Sequence, residues 1–542
     1  MWKLPINFIT LHYAYILTLG ILAFIVIYPY GNIRAIDAYY FGASASTSSG
    51  LNPIDLKALK TYQQVWLYFT PILANLGFVN IIVVVVRLRW FNKKLKGISA
   101  AYRKPTASRN CINPEIKDLT HVSETSDVEG GHIDASISEQ ELQVSGKHEK
   151  NGPLSQDELG GVEYRALRIL LKIVAGYFFG LHLFGAICLI PWIHLAPSRY
   201  REYLASQGQN PTWWAMYSSQ TMISNLGLTL TPDGMISFRD ATWPMLVMCF
   251  LGFAGNTFYP VFLRLVIWLM WKVTPASSST SESLRFLLDR PRRCYTLLFP
   301  STVTWVLAAI LVFLNFIDTL VIVVLDLDNP EVNVLPLGPR ILAALFQSVC
   351  TRHTGTAAFN LANLNPATQL SLVVMMYISV YPIAVSIRMS ESYEDRSVAR
   401  YATERSLDDN TDGKTYLINI MRIQLSFDLW FIFLGVFCIC CAESKRVMSH
   451  EDWAFSVFAI LFEVVSAYCN VGISLGYPTN LAALSGQFTV FSKLVICAMM
   501  VRGRHRGLPH GLDRTINLPN DPVIQDEQDK YRDSDTEHTL AH

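Results

Sequence analysis

The sequence predicts an all-α polytopic membrane protein made of four tandem repeats, and three observations lead there. The composition is 51% hydrophobic and only 16% charged, where a soluble protein carries about 25% charged residues. Several apolar stretches reach the roughly 20 residues that a helix needs to cross a bilayer. These stretches come in pairs, and inside every pair lies a short semi-apolar run followed by a small or polar stretch with a central glycine. The formal net charge of +1 gives no bias towards nucleic acid, so the placement of the charges is what informs.

Taken in order, the first pair is Phe8–Pro29 and Val65–Val86, with Ile36–Pro53 re-entering between them. No small-residue cleavage site follows Phe8–Pro29, so it reads as a retained helix rather than a removed signal peptide. The second pair is Ala166–His194 and Trp243–Trp271, around Thr212–Gly234. The third is Leu297–Leu325 and Leu370–Ile387, around Arg340–Asn360. The fourth is Tyr416–Cys441 and Gly486–Val501, around Trp453–Gly476. The unit is helix, short helix, glycine-bearing strand, helix. Identical direction in all four makes the repeats parallel, related by a pseudo-fourfold axis along the membrane normal. Domain boundaries follow: a first repeat at 1–90, a cytosolic loop at 91–163, a second repeat at 164–273, a third with its basic linker at 274–390, a linker and fourth repeat at 391–506, and a tail at 507–542. Residues 108–161 are rich in Ser, Glu, Asp and Gly, too poor in apolar surface to offset the entropy of ordering, so disorder is expected there. The polar tail beyond Leu508 reads the same way. Cys438, Cys440 and Cys441 lie in an apolar run without His or carboxylate, as packing residues rather than metal ligands.

Charges set the orientation. Arg87, Arg89, Lys93, Lys94, Lys96, Arg103 and Lys104 follow the second span; Lys272, Arg285, Arg290, Arg292 and Arg293 follow the fourth; Arg388, Arg396, Arg400 and Arg405 follow the sixth; Arg502, Arg504 and Arg506 follow the eighth. The glycine loops are poorer in Lys and Arg. The positive-inside rule then places both termini in the cytosol and the glycine loops outside.

The four glycine stretches carry the candidate chemistry. They are Thr47-Ser48-Ser49-Gly50, Ser224-Asn225-Leu226-Gly227, His353-Thr354-Gly355 and Asn470-Val471-Gly472. Glycine lets backbones crowd together and take positive φ. Four such segments can aim carbonyl oxygens at a dehydrated cation, and a ring of carbonyl dipoles suits K⁺. Extended backbone at membrane depth is tolerated where it lines a water-filled path. The short helices would point their negative C-terminal ends at that path. The alternative is four glycine-bearing extracellular turns, each ordinary by itself.

The motifs Phe41-Gly42-Ala43-Ser44-Ala45-Ser46-Thr47-Ser48-Ser49-Gly50-Leu51-Asn52, Asn225-Leu226-Gly227-Leu228-Thr229-Leu230-Thr231-Pro232-Asp233, Thr351-Arg352-His353-Thr354-Gly355-Thr356-Ala357-Ala358-Phe359-Asn360 and Gly503-Arg504-His505-Arg506-Gly507-Leu508-Pro509 resemble the Trk/HKT family of potassium transporters, most closely its fungal Trk branch. The resemblance implies membrane–pore–membrane repeats around one pore, a plasma-membrane location and a homodimer. It implies K⁺ preference from glycine at the first filter position, Gly50, where serine accompanies Na⁺ selectivity. It implies a constriction below the third filter, for which Tyr377, Ile378, Ser379, Tyr381 and Pro382 are the gate candidates; a plain kink at Pro382 is the alternative. It also implies positive residues on the last span, matched by Lys493 and Arg504. A charge inside a span is usually functional, although Arg504 sits where ordinary snorkelling also accounts for it.

Asp318 and Asp428 fall within outer helices and call for a cationic partner or a role in proton coupling, structural pairing being the plainer reading. Glu463, on the fourth short helix, is placed to hydrogen-bond behind the filter. The ring of His353 is expected to pack behind its own backbone. K⁺ at the filter is the only metal expected, and no cofactor. No Walker-type fingerprint appears, which speaks against direct ATP drive. The leading expectation is potassium uptake driven by membrane potential. Its rivals are Na⁺-permeable transport or coupling to Na⁺ or H⁺ on the same scaffold, and a membrane enzyme, for which no nucleophile–base or metal spacing is present. An anion pathway between protomers is a third implication of the resemblance.

Overall fold

The computed structural model describes residues 8–102, 161–390, 413–449, 452, 454–478 and 482–506, with side chains of 8, 94–102 and 413–424 excepted. The expectations for the 108–160 loop and for the tail beyond Leu508 lie outside the described residues, as does Trp453 at the start of the fourth re-entrant stretch.

The first repeat comprises α1 (Phe8–Ile27), the short α2 (Ala35–Thr47), and α3 (Thr61–Ala74) running into α4 (Leu76–Tyr102). The second comprises α5 (Gly161–Leu195), α6 (Ser198–Ser206), the short α7 (Pro211–Ile223), and α8 (Thr242–Gly252) joined by a π turn to α9 (Tyr259–Val273). After α10 (Ser279–Asp289), the third comprises α11 (Ser301–Leu325), the short α12 (Leu337–His353) and α13 (Pro366–Ile378). The fourth comprises α14 (Gly413–Ala442), the short α15 (Val457–Tyr468) and α16 (Val490–Gly503). Among the described residues, five helices are long and apolar enough to cross a membrane, or up to seven if each bent pair is one span. The chain is a multi-pass membrane protein.

Local chemistry starts several of these helices. Asn210 caps α7 by accepting from the Thr212 amide at 2.9 Å, with Pro211 at the first helical position. Asn365 and Pro366 open α13 in the same way, the Asn365 side chain accepting from Ala367 N–H at 2.9 Å. Ser456 caps α15. These are the residue types that satisfy orphan amides at a helix start.

The four short helices form the centre. Tyr40, Phe41, Trp214, Tyr217, Phe346 and Phe462 on them are fully buried, whereas Leu183, Phe313 and Phe433 on the outer helices are exposed for lipid. Small residues allow close contact: a Cβ on Gly42 of α2 would stand 2.4 Å from the Gly20 carbonyl of α1, and one on Gly185 of α5 would stand 2.0 Å from Ser219 Oγ of α7.

Three expectations need correction. The second spans of repeats one and two are not straight: α3 and α4 meet at 51°, and the α8–α9 pair bends by 93°. The first bend falls at Asn75, whose side chain accepts from Gly77 N–H at 2.7 Å and donates to the Ile223 carbonyl at 3.4 Å. The second is the π turn Phe253–Thr257, where a Cβ on Gly255 would meet that same Ile223 carbonyl at 2.5 Å. Both bends therefore seat beneath the end of α7. The expected eighth span, Gly486–Val501, is the 14-residue α16 beginning at Val490; Leu484–Gln487 is instead a turn of 3₁₀ helix. Finally, the segments after the short helices are irregular and extended rather than laddered strands.

Candidate ion pathway

The short helices α2, α7, α12 and α15 end just before the four glycines, and these glycines meet in a closed ring. A Cβ on Gly50 would fall 1.8 Å from the Leu226 carbonyl oxygen, one on Gly227 2.6 Å from Gly355 Cα, one on Gly355 2.6 Å from Gly472 Cα, and one on Gly472 2.8 Å from Gly50 Cα. Each repeat touches the next, and the fourth returns to the first. Real side chains do not approach so closely, so glycine is required at every position for steric reasons. Gly50, Gly227 and Gly472 also hold φ of 79°, 80° and 93°, the left-handed region that only glycine adopts at little cost.

The helix ends explain how the segments turn. Ser48, Asn225 and Asn470 are left-handed, with φ of 53°, 54° and 52°. Just after each, Ser49, Leu226 and Val471 donate their amides to Ser44, Thr221 and Ser466 carbonyls at 2.9, 3.0 and 3.0 Å. This six-to-one closure is a Schellman-type stop, in which Asn is the favoured substitute for glycine. It engages helix carbonyls within the turn and leaves those of the following residues for other partners. The negative ends of the four helix dipoles converge on the ring.

Outside the ring lies a cavity of about 470 Å³, lined by all four glycines together with Asn52, Asp55, Asp233, Asn360 and Asn363 and, among the described residues, by no Lys or Arg. Burial raises the Asp55 carboxyl above its ordinary range, with Lys57 opposing the shift. Repeats four and one are knitted together here: Ala483 N–H donates to the Asn52 carbonyl at 3.1 Å. Behind the ring Glu463 is fully buried and accepts from Ser485 N–H at 3.0 Å, while Ser485 Oγ and Tyr40 hydroxyl are 2.6 Å apart.

The gate candidates sit at a real interruption. The helix stops after Ile378, turns at Ser379 and Val380, and resumes from Tyr381 to Ser390. The carbonyl of Tyr377, just before this break, accepts from Arg506 Nη2. Arg506 is buried, lies 3.5 Å from Asp428, and contacts Cys469 Sγ through Nη1 at 2.6 Å. Asp428 accepts from Tyr381 hydroxyl at 3.0 Å and from Tyr468 hydroxyl at 2.7 Å. Ser379 hydroxyl donates to Met376 carbonyl at 2.8 Å, Pro382 carbonyl accepts from Ser386, and Ile378 is half-buried at the end of α13. Arg504 donates to the Ala74 carbonyl, beside the bend in repeat one, at 2.8 Å. His505 bonds His12 of α1 at 3.0 Å. The Gly503-Arg504-His505-Arg506 segment thus ties together repeats one, three and four. Gly503 permits this, since its Cβ would stand 1.9 Å from the Tyr468 carbonyl.

Lys493 is placed differently from the expectation of a pore-lining cation. It is 2% exposed and its ammonium lies 2.5 Å from Asp37 of α2, so it ties the last helix to the first short helix. Sequence reasoning missed Asp37 and Arg506 as the partners of Lys493 and Asp428. The signal available was the basic run after α16, where Arg506 lies only two residues beyond Arg504.

A family model described as TrkH, Cation transport protein, matches residues 149–526, which takes in repeats two to four. The chain belongs to the TrkH cation transport protein family. Among curated proteins it is 47% identical over 366 residues to Potassium transporter TRK1 of Candida albicans, a match covering 67% of this chain and 34% of that one. It is 44% identical over 399 residues to a Low-affinity potassium transport protein of Saccharomyces cerevisiae, covering 68% and 45%. It is 43% identical over 377 residues to Potassium transport protein 1 of Schizosaccharomyces pombe, covering 70% and 44%. The chain therefore spans between a third and a half of the length of these relatives. The crystal structure of the potassium transporter TrkH from Vibrio parahaemolyticus aligns with a TM-score of 0.47 at 13% identity, covering 92% of this chain and 83% of that one.

Proposed function

We propose that this chain carries K⁺ across the plasma membrane through the glycine ring, as a transporter rather than an enzyme, with the membrane potential as its main drive. The observation that carries the reading is the closed contact of Gly50, Gly227, Gly355 and Gly472 at the convergence of four helix ends. A cation that sheds water there finds backbone oxygens and negative dipole ends in its place. The vestibule outside supplies carboxylates and no opposing cation. One elementary charge gains about 2.3 kcal/mol per 100 mV, enough to accumulate K⁺ without nucleotide. The relatives' names, all potassium transport proteins, agree in substrate class. In this reading Thr47–Gly50, Ser224–Gly227, His353–Gly355 and Asn470–Gly472 are the filter segments. The break at Ser379 and Val380 is the constriction beneath them, both termini are cytosolic, and the assembly is a homodimer.

The test is growth and ⁸⁶Rb⁺ uptake in cells lacking their own K⁺ uptake, comparing the native chain with Gly50→Ser. Uptake by the native chain, with K⁺-over-Na⁺ preference lost in the variant, is the expected result. Native Na⁺ preference would favour a sodium pathway on the same scaffold. No cation uptake by protein at the cell surface would overturn the reading.

A further inference from the structure

Three of the short helices end alike and the third does not. In repeats one, two and four the residue two before the glycine is left-handed and a six-to-one amide bond closes the turn. In repeat three the helix runs on through His353, Thr354 donates to Cys350 four residues back at 3.0 Å, and neither His353 nor Gly355 takes a positive φ. The stop that aims the other segments is missing, yet Gly355 still reaches both neighbours in the ring. Something else must set its direction.

A buried ion pair occupies that turn. Arg352, wholly inaccessible, donates from Nη2 to Asp318 Oδ2 at 3.0 Å and from Nε to Asn315 Oδ1 at 3.1 Å, both on α11. One turn earlier Ser348 hydroxyl reaches Asn315 Oδ1 at 3.1 Å and Asp318 Oδ2 at 3.3 Å. Ser348 and Arg352 thus lie on one face of α12 and clamp it to the outer helix. The pair is poorly arranged for stability alone. Arg352 Nη1 and Asp318 Oδ1 are buried and find no partner among the described residues, and buried ion pairs gain little over apolar replacements unless every atom is satisfied. What a forked guanidinium on two fixed acceptors does provide is orientation. The adjacent segment shows what is oriented: Thr354 hydroxyl donates to Asn225 Oδ1 at 3.1 Å, and Thr356 hydroxyl donates to the Gly227 carbonyl at 3.2 Å.

We propose that the Arg352–Asp318 pair is the positioning device of the third filter segment, replacing the left-handed stop of the other repeats and setting how strictly the ring separates K⁺ from Na⁺. This rests on the K⁺ pathway proposed above. Arg352 touches no ion in this account; it acts through the backbone of 353–356.

The test measures ⁸⁶Rb⁺ and ²²Na⁺ uptake by the full chain in cells lacking K⁺ uptake, per unit of surface-labelled protein. Arg352→Gln is expected to lower the Rb⁺/Na⁺ ratio by about tenfold, which corresponds to about 1.4 kcal/mol of lost discrimination. The exchange Arg352→Asp with Asp318→Arg is expected to recover most of the ratio. A merely structural pair would lower surface protein and both fluxes together and leave the ratio at its native value, which would overturn the proposal. Where Arg352→Gln fails to reach the surface, Arg352→Lys is read instead: it keeps the charge but loses the fork to Asn315, so a reduced ratio supports the proposal and a native ratio overturns it. Absence of Rb⁺ uptake by the native chain is a distinct failure, of the K⁺ reading, and takes the proposal with it.

Discussion

Adding one methyl group to the ring separates backbone strain from ring closure. Gly50→Ala places a Cβ 1.8 Å from the Leu226 oxygen, where contacts below 3.0 Å are essentially never found. The obstacle is backbone, so no rotamer change relieves it, and the first segment must back away by more than about 1 Å, a displacement that costs positioned groups about a hundredfold in rate. The left-handed φ of 79° adds about 1–2 kcal/mol for any residue with a Cβ. Two companion variants apportion these effects. Gly31 has φ 74° and nothing within 4 Å of its Cβ position, so Gly31→Ala carries the strain alone. Gly355 has no positive φ, but its Cβ would stand 2.5 Å from Val471 O, so Gly355→Ala carries the collision alone. The assay is ⁸⁶Rb⁺ uptake normalised to surface protein. Losses of about a hundredfold are expected in Gly50→Ala and Gly355→Ala, with Gly31→Ala near native. Native uptake in Gly355→Ala would refute the reasoning, because it would show that ions do not need the ring as built.

Other consequences follow from the same contacts. Lys493→Met leaves buried Asp37 with only the exposed Arg34, 3.9 Å away, a loss of up to about 3–5 kcal/mol, whereas Lys493→Met with Asp37→Leu should recover most of it; thermal unfolding in detergent measures both, and equal stability of single and double variants would count against the pair. Asp55, held above the ordinary carboxylate range by burial, takes up its proton at higher pH than a free carboxyl, so the vestibule loses negative charge early as external pH falls. Rb⁺ uptake should therefore decline with acidification, and Asp55→Asn should flatten that decline while lowering uptake at neutral pH; a profile unchanged by Asp55→Asn would exclude the residue. Arg506→Gln removes a buried cation from the break at Ser379 and Val380, a fixed charge that opposes passing cations; uptake should rise at unchanged Rb⁺/Na⁺ ratio, and an unaltered rate would exclude Arg506 from the constriction.

The ring was legible in the sequence because its requirement falls on the backbone. Only glycine tolerates the crowding, and at Gly50, Gly227 and Gly472 the positive φ as well, so these three and Gly355 stand out between apolar pairs even where their neighbours differ. Asn225 and Asn470 held a second, unused trace, since Asn is the usual non-glycine residue in a left-handed stop. Side-chain pairing was not legible. Arg352 and Asp318, or Lys493 and Asp37, are ordinary charges until the repeats close and bring distant stretches together. The bends at Asn75 and at Phe253–Thr257 were invisible because hydropathy measures apolar length and not direction. Pro382 did announce a break, but the helix gives way upstream at Ser379 and Val380, since the proline ring clashes with the carbonyl of the preceding turn. Arg506 lay in the basic run after the eighth span, which reads as cytosolic, and only the folded contact with the Tyr377 carbonyl draws it inward.

The central claim is that K⁺ crosses through the four-glycine ring under the membrane potential. The most direct measurement is ⁸⁶Rb⁺ entry into liposomes holding the purified full chain, with an inside-negative potential imposed and no ATP, Na⁺ or H⁺ gradient. Potential-dependent accumulation by the native chain, abolished in Gly355→Ala, is the expected result. Accumulation that persists in Gly355→Ala, or a native chain that moves no Rb⁺ until a second gradient is supplied, would contradict it.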